Sequence, residues 1–305
     1  MALFKGRCVR PVTLDRVTEV LSDAGRQFYP DEDTKTVVIL LPQGTTYLTI
    51  HDCVLRMHTV WRGILHTEAL SSAIPLVLQW NRERPGPKVV VHQGTPVRIT
   101  TETNCHLACG LDDFQLQAQI LLGLILASRF FVALEDLIPP EPAWNDGPPH
   151  EDFLERQDFK HSFPMSSDNT GVHPVDSSRV ISACKRLGLQ IERSQTLLTL
   201  SSQPFPTTIR LFGEDTWLSV SSHWDANISR SLRPELFDVA NAINRESLFP
   251  VVSLLLSHEN ASARADFIVS VGEGMTDCQL DTQISLGLQC VRDATRTLTK
   301  AGSLN

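Results

Sequence analysis

Residue types that can do chemistry crowd together at two places. His51-Asp52-Cys53 strings three possible ligands together, and Cys105-His106-x-x-Cys109 offers two thiols around an imidazole. A metal site needs three or four convergent donors. Neither stretch has a known ligand spacing, and the histidines include no HxxxH or HExxH pair. GxSxG, GxGxxG and the P-loop are also missing. No catalytic residue, metal ligand or cofactor is assigned on these grounds. An enzyme would have to draw on carboxylates or histidines that only the tertiary fold brings together. The cysteines are odd in number (7) and lack a CxxC pair, which reads as scattered reduced thiols in a cytoplasm and not as a disulfide framework.

Polar residues that recur at fixed distance are more informative. Gly110, Asp113, Gln115, Leu116, Gln119, Ile120 and Gly123 return at an offset of 164 as Gly274, Asp277, Gln279, Leu280, Gln283, Ile284 and Gly287. Asn81-Arg82-Glu83, three variable residues and Pro87 return as Asn244-Arg245-Glu246 and Pro250, at an offset of 163. Pro11, Arg16, Val17, Gly25 and Trp61 repeat at the same 163, so one module has been used twice.

The elements that carry these residues follow from periodicity. Leu14, Val17, Val20 and Leu21 share one helical face closed by Gly25. Strand-like runs follow at 36–41, 45–51 and 54–60, split by Pro42-Gln43-Gly44 and His51-Asp52-Cys53. A helix at 68–80, strands at 88–93 and 97–103 and a long apolar helix complete an α-β-β-β-α-β-β-α unit. Short connections make each five-stranded sheet mainly antiparallel, so the fold is α+β. We divide the chain into a first module (1–138), a Pro-rich acidic linker (139–173) and a second, more degenerate module (174–305). Trp144, Phe153, Phe159 and Phe163 are the linker residues expected to pin it to a module.

The bland reading applies to most of the repeated polar residues. Asn81 and Asn244, flanked by Arg82, Glu83 and Arg245, suit the end of a helix. Gln115/Gln119 and Gln279/Gln283 are i, i+4 pairs that can bond each other or the neighbouring module. Asp113 and Asp277 complement the positive end of their helices. The run Ile120–Leu134 is too short for a comfortable membrane span, and its counterpart carries Arg292, Asp293 and Arg296. It is expected to lie buried on its own sheet and against the other module. The segment 1–13 has no apolar core region and does not read as a secretory signal. A formal charge of −8 argues against nucleic-acid binding.

Taken together, Gln79-Trp80-Asn81-Arg82-Glu83 followed by Pro87, and Gly110-Leu111-Asp112-Asp113-Phe114-Gln115-Leu116 before a long apolar helix, resemble the YbjN family. That family is described as bacterial sensory transduction regulators and is similar in fold to type III secretion chaperones. The resemblance covers about residues 11–138 and 174–301. It implies two tandem modules forming a pseudo-dimer within one chain, and it carries no catalytic residues over. The second module departs from the pattern, with Ile243 where the first has Trp80. The expected function is a non-enzymatic, cytoplasmic protein-interaction module, chaperone-like or regulatory, that binds a partner polypeptide and leaves self-association of the chain open. Trp61, Trp80, Arg82 and Arg84 are the expected partner contacts. The competing expectation is a small-molecule sensor with a ligand pocket between the modules.

Overall fold

A computed structural model describes residues 7–139, 141–142, 171–194, 197–200, 205–226, 233–256 and 261–302. The first helix, α1 (Leu14–Asp23), starts where the Thr13 hydroxyl accepts the Arg16 N–H at 3.3 Å. It ends where Arg26 N–H bonds Leu21 C=O and Gly25 N–H bonds Ser22 C=O, each at 2.9 Å, a Schellman closure. Strands β1 (Tyr29–Asp31), β2 (Thr36–Leu40), β3 (Gly44–His51) and β4 (Val54–Trp61) then form an antiparallel meander. Asp52 and Cys53 both take positive φ in the two-residue turn between β3 and β4, the backbone that matches strand twist.

A two-residue strand, β5 (Gly63–Ile64), and a single 3-10 turn lead into α2 (Leu70–Glu83). Next come β6 (Lys88–His92), β7 (Arg98–His106) and α3 (Asp113–Leu137). The sheet order is β1-β2-β3-β4-β7-β6, so β7 lies beside β4 and β6 takes the far edge. β8 (Glu141–Pro142) pairs with β5. Of the rest of the expected linker, Val172 is buried and His173 bridges to Met275, inside the second module, while residues 140 and 143–170, with Trp144, Phe153, Phe159 and Phe163, lie outside the described residues.

The second module repeats this plan with α4 (Ser177–Arg186), β9 (Ile191–Ser194), β10 (Leu197–Leu200), β11 (Thr207–Phe212) and β12 (Trp217–Ala226). It finishes with α5 (Arg233–Glu246), β13 (Val251–Leu256), β14 (Ala261–Ser270) and α6 (Asp277–Gly302). Its sheet order, β13-β14-β12-β11-β10-β9, is the same sequence of strands. Both sheets have six antiparallel strands where periodicity predicts five. The extra ones, β1 and β9, are three or four residues long and mostly exposed, so they carry no alternating apolar pattern.

Two helices lie between the modules. α2 packs on β13 of the other module as well as on its own β6 and α3, and α5 packs on β6 as well as on its own β13 and α6, so one apolar core runs through both. Ala73, Val77, Val89, Phe130, Phe131 and Leu134 of the first module share it with Leu236, Phe237, Ala240, Val252, Leu254 and Phe267 of the second. The other half of α3 closes a separate core under α1, built on Leu116, Ile120 and Leu124 against Leu48, Leu55 and Met57. The apolar helix thus divides between its own sheet and the shared core. Its outer face still presents Ile125 and Val132 to solvent.

Gly123 and Gly287 let the long helices lie this close to their sheets. A Cβ at Gly123 would overlap the Met57 methyl, the free end of a flexible side chain. A Cβ at Gly287 would come within 2.8 Å of both Phe267 Cδ1 and Val220 Cγ2, a ring and a β-branched side chain that cannot swing away. Overpacking of that kind costs about 1–3 kcal/mol, while a helical Gly→Ala change returns about 1 kcal/mol. We therefore expect Gly287→Ala to lower the thermal midpoint and Gly123→Ala to leave it near the parent value. Equal midpoints in the two variants by differential scanning calorimetry would contradict this packing.

Candidate functional site

The repeated residues converge on the seam between the modules. Asp112 caps α3 by accepting the Gln115 N–H at 2.8 Å, and Gln115 Oε1 accepts the Asp112 N–H at 3.0 Å, a capping box. Thr276 and Gln279 do the same for α6, at 3.1 and 2.8 Å. The two glutamines then face each other. Gln115 Nε2 donates to Gly274 C=O (2.7 Å) and Gln279 Oε1 (3.1 Å). Gln279 Nε2 donates to Gly110 C=O (2.8 Å) and Gln115 Oε1 (3.0 Å). Each buried amide uses both N–H groups and both lone pairs. Gly110, Gly274, Gln115 and Gln279 therefore form one reciprocal joint.

Around this joint lies a cavity of about 30 Å³, lined among others by Cys105, His106, Gln119, Thr282 and Gln283. It has room for about one water, and the buried Oε1 of Gln283 has no protein partner. Burial pushes His106 down to about 4, so the ring is neutral there at pH 7. The seam is closed on one flank by a disulfide between Cys109 and Cys278, whose Cα atoms stand 6.4 Å apart. The expectation of scattered reduced thiols fails for this pair, because cysteines 169 positions apart are neighbours only after the modules dock. On the other flank Arg7 grips Asp112 at 2.7 and 2.8 Å, reaches Glu273 at 3.5 Å and lies 4.9 Å over the Phe114 ring.

Arg16 and Arg179, which repeat at the 163 offset, hold the outer ends of the joint. Arg16 donates to the carbonyls of Arg10, Pro11 and Leu111 and to Asp113 Oδ1 (2.7 Å). Arg179 donates to those of His173, Pro174 and Met275 and to Asp277 Oδ1 (2.7 Å). These bonds, with a further one from Arg10, hold the Asp113 carboxyl below its usual value, and Arg179 does the same for Asp277.

The asparagines of the repeated motif do not close their helices. α2 runs on through Glu83, and the Asn81 side chain turns to the sheet edge. There it accepts the Val89 N–H (2.8 Å) and donates to the Val89 C=O (2.9 Å). Asn244 treats Val252 the same way at 2.7 and 2.8 Å. Asn241, where the first module has Leu78, does this across the seam to Val91, at 3.0 and 2.6 Å. Side-chain amides thus occupy backbone groups of the two edge strands β6 and β13, which would otherwise invite further pairing.

A buried charge pair recurs nearby. Glu102 holds Arg56 (2.9 Å), His58 (3.3 Å) and Lys88 (3.4 Å), and the Lys88 ammonium reaches across to the carbonyls of Ser247 and Leu248. Asp266, its counterpart at the 164 offset, accepts Ser221 Oγ and Arg264 Nε at 2.6 Å, and Arg264 reaches back to the Arg82 carbonyl. Burial pushes Asp266 up, against the opposing pull of Arg264.

Of the expected partner contacts, Trp61 and Trp80 are core residues, 4% and 9% exposed. The Trp61 indole N–H donates to Glu135 (3.0 Å), and the Trp80 ring meets Phe130 edge-on at 5.2 Å. They cannot offer their faces to a partner, because Trp61 fills the shared core and Trp80 lies between that core and the Arg84 guanidinium. Arg82 pairs with Glu83, as Arg245 does with Glu246 in the second module, and Arg84 lies 5.5 Å over the Trp80 ring; both Arg82 and Arg84 reach the surface.

A larger opening lies elsewhere, between α1 and the β1–β2 edge of the first module. It measures about 800 Å³ and is floored by Leu14, Phe28 and Val37. Its walls carry Asp15, Glu19, Asp23, Asp31 and Glu32 against a single Lys35. At the 163 offset, the three helix carboxylates become Ser178, Ser182 and Arg186 in the second module. Nothing in the sequence marked this groove, since its acidic residues are spread over a helix and a turn. Among the described residues no three His, Cys, Asp or Glu side chains converge as a metal site, and no helix is long and apolar enough to cross a membrane.

Fold and seam together define an intramolecular pseudo-dimer of two antiparallel α+β modules. The profile of the YbjN family, described as "Putative bacterial sensory transduction regulator", matches residues 13–136 and 176–299, and the chain belongs to that family. Two solved structures are similar to it. YbjN from E. coli is 16% identical over 42% of this chain and 93% of its own, with a TM-score of 0.35. The Yersinia pestis type III secretion chaperone SycH, solved in complex with a stable fragment of YscM2, is 17% identical over 40% of this chain and 98% of its own, with a TM-score of 0.26. None of the curated proteins matches the chain.

Two outcomes follow from the joint. Gln115→Ala strands the buried amide of Gln279 and should cost about 1–3 kcal/mol in denaturant unfolding. The double change with Gln279→Ala should cost less than the sum of the two singles. Strict additivity would show that the amides do not act together. Asp113 and Asp277 have depressed folded values, so their contribution is complete above the unfolded carboxylate value of about 3.9 and is lost as pH falls through the folded ones. The Asp113→Asn/Asp277→Asn variant should show a shallower fall of thermal midpoint between about pH 4 and 2. A parallel fall in both proteins would remove these pairs from the acid response.

Proposed function

We propose that this chain is a non-enzymatic, regulatory or chaperone-like module that captures an extended, basic stretch of a partner polypeptide. The observation that supports this reading is the open acidic groove between α1 and the β1–β2 edge. Its size suits a polypeptide segment. β1 is the outer strand of its sheet and carries Pro30, which has no N–H to offer, so capture rests on apolar contacts with Phe28 and Val37 and on the carboxylates. Five carboxylates around one lysine favour lysine and arginine side chains and speed their approach. The other edge strands, β6 and β13, already have backbone groups occupied by Asn81, Asn241 and Asn244. Arg82 and Arg84, at the far end of α2, stand as the second candidate surface.

A ligand pocket between the modules is less well supported. The intermodule cavity is about 30 Å³, against roughly 300 Å³ or more for a small-molecule site. The family description fits a regulator acting through a partner.

Binding of a fluorescein-labelled, Lys/Arg-rich peptide to the whole protein, read by anisotropy, tests the groove. Glu19→Lys/Asp23→Lys should weaken it by about tenfold or more, as should raising the salt from about 50 to 300 mM. Arg82→Ala/Arg84→Ala should leave it unchanged. If only the arginine variant loses affinity, or if a partner isolated from the native cells binds the charge-reversed protein equally well, the groove is not the contact.

A further inference from the structure

The cysteine pair on the seam has no part in peptide capture. Cys109 sits in the turn just before Gly110, and Cys278 is the second residue of α6, one turn below Thr282, whose hydroxyl lies 3.3 Å from Cys109 Sγ. Both cysteines are half-buried, so a small reagent can reach them. Cys105, Cys184 and Cys290 are different: burial pushes their thiols up to about 12, 11 and 12, where they are poor nucleophiles at neutral pH.

The pair also breaks the internal symmetry of the molecule. At the 164 offset Cys109 corresponds to Glu273, and Cys278 to Phe114. The equivalent flank is therefore held by the Arg7–Glu273 ion pair and by Arg7 over Phe114. One side of the joint is closed by charge and the other by a bond that can be made and broken. The first turn of a 26-residue helix stabilises a thiolate at Cys278. The adjacent Asp277 charge is countered by Arg179 at 2.7 Å and Arg186 at 3.6 Å.

We propose that Cys109 and Cys278 are a thiol–disulfide exchange site for low-molecular-weight disulfides, and that this exchange locks and releases the seam between the modules. In the dithiol form, the Cys278 thiolate attacks one sulfur of RSSR. The S–S bond of RSSR breaks, and RS⁻ departs and takes up a proton. The Cys109 thiolate then attacks Cys278 Sγ in the mixed disulfide and expels the second RS⁻, which is also protonated. Two protein thiols are oxidised by two electrons, and RSSR is reduced to two RSH. Excess RSH runs the sequence backwards. The lock ties the turn before α3 to the first turn of α6, beside the Gln115–Gln279 joint. Release leaves that joint to its hydrogen bonds and to Arg7 on the opposite flank, while α2 on β13 and α5 on β6 keep the modules together.

The whole protein is equilibrated with glutathione at oxidised-to-reduced ratios from about 1:100 to 100:1, alkylated and mapped by mass spectrometry, with Cys53, an exposed thiol like Cys8, as the reference. A Cys109–Cys278 bridged peptide, two hydrogens lighter than the dithiol, is expected to accumulate, while Cys53 ends as a glutathione adduct. Amide exchange across 110–116 and 274–280 should slow by about tenfold or more on bridging. Cys109→Ser should trap glutathione on Cys278 and abolish that difference. Failure to form the bridge at any ratio overturns the proposal, as does a bridge that leaves seam exchange unchanged. So does preferential trapping on Cys109 in Cys278→Ser.

Discussion

The molecule depends on bringing the N-termini of two long helices together without leaving their amides bare. Each helix end carries a partial positive charge and N–H groups with no partner inside the helix. Setting two such ends face to face costs free energy through repulsion and desolvation. The capping boxes at Asp112 and Thr276 take up the first donors, and Asp113 and Asp277 bring negative charge to the same turns. The glutamine of each box is then free to bond its twin through the groups the box leaves over. A residue that serves a local cap in one module becomes the adhesive of the pair.

The helices that lie between the modules solve a second problem. A six-stranded antiparallel sheet has two edges, and every edge exposes backbone groups that can pair with another chain. Packing α2 on β13 and α5 on β6 shields one edge of each sheet, and the asparagine amides occupy its backbone groups at Val89, Val91 and Val252. Among the described residues the opposite edges, β1 and β9, have no further strand beside them. Only the first of them faces an acidic helix, since Asp15, Glu19 and Asp23 of α1 correspond to Ser178, Ser182 and Arg186 of α4.

Much of the architecture was legible because its causes are local. The helical face of Leu14, Val17, Val20 and Leu21 and its closure at Gly25 depend on residues a few positions apart, and the 163 and 164 offsets show once the two halves are laid side by side. The resemblance of Trp80-Asn81-Arg82-Glu83 and Gly110–Leu116 to a known family rests on the same short stretches. β1 and β9 escaped notice because strands of three or four exposed residues have no apolar alternation to read.

The site was less legible, because its chemistry is assembled from residues far apart in the chain. That Asn81 would plug a strand and not end a helix depended on how close β6 passes to α2. The burial of Trp61 and Trp80 depended on the neighbouring module, which supplies part of the core they fill. The Cys109–Cys278 bond and the acidic groove were settled by docking and by loop path in the same way. The sequence by itself determined the repeat, the α+β class and the capped helices, since those follow from interactions within a turn or a hairpin. Only the tertiary structure decided which polar repeats meet across the seam, which tryptophans are hidden and where a partner can enter, since those depend on distances between residues separated by a whole module.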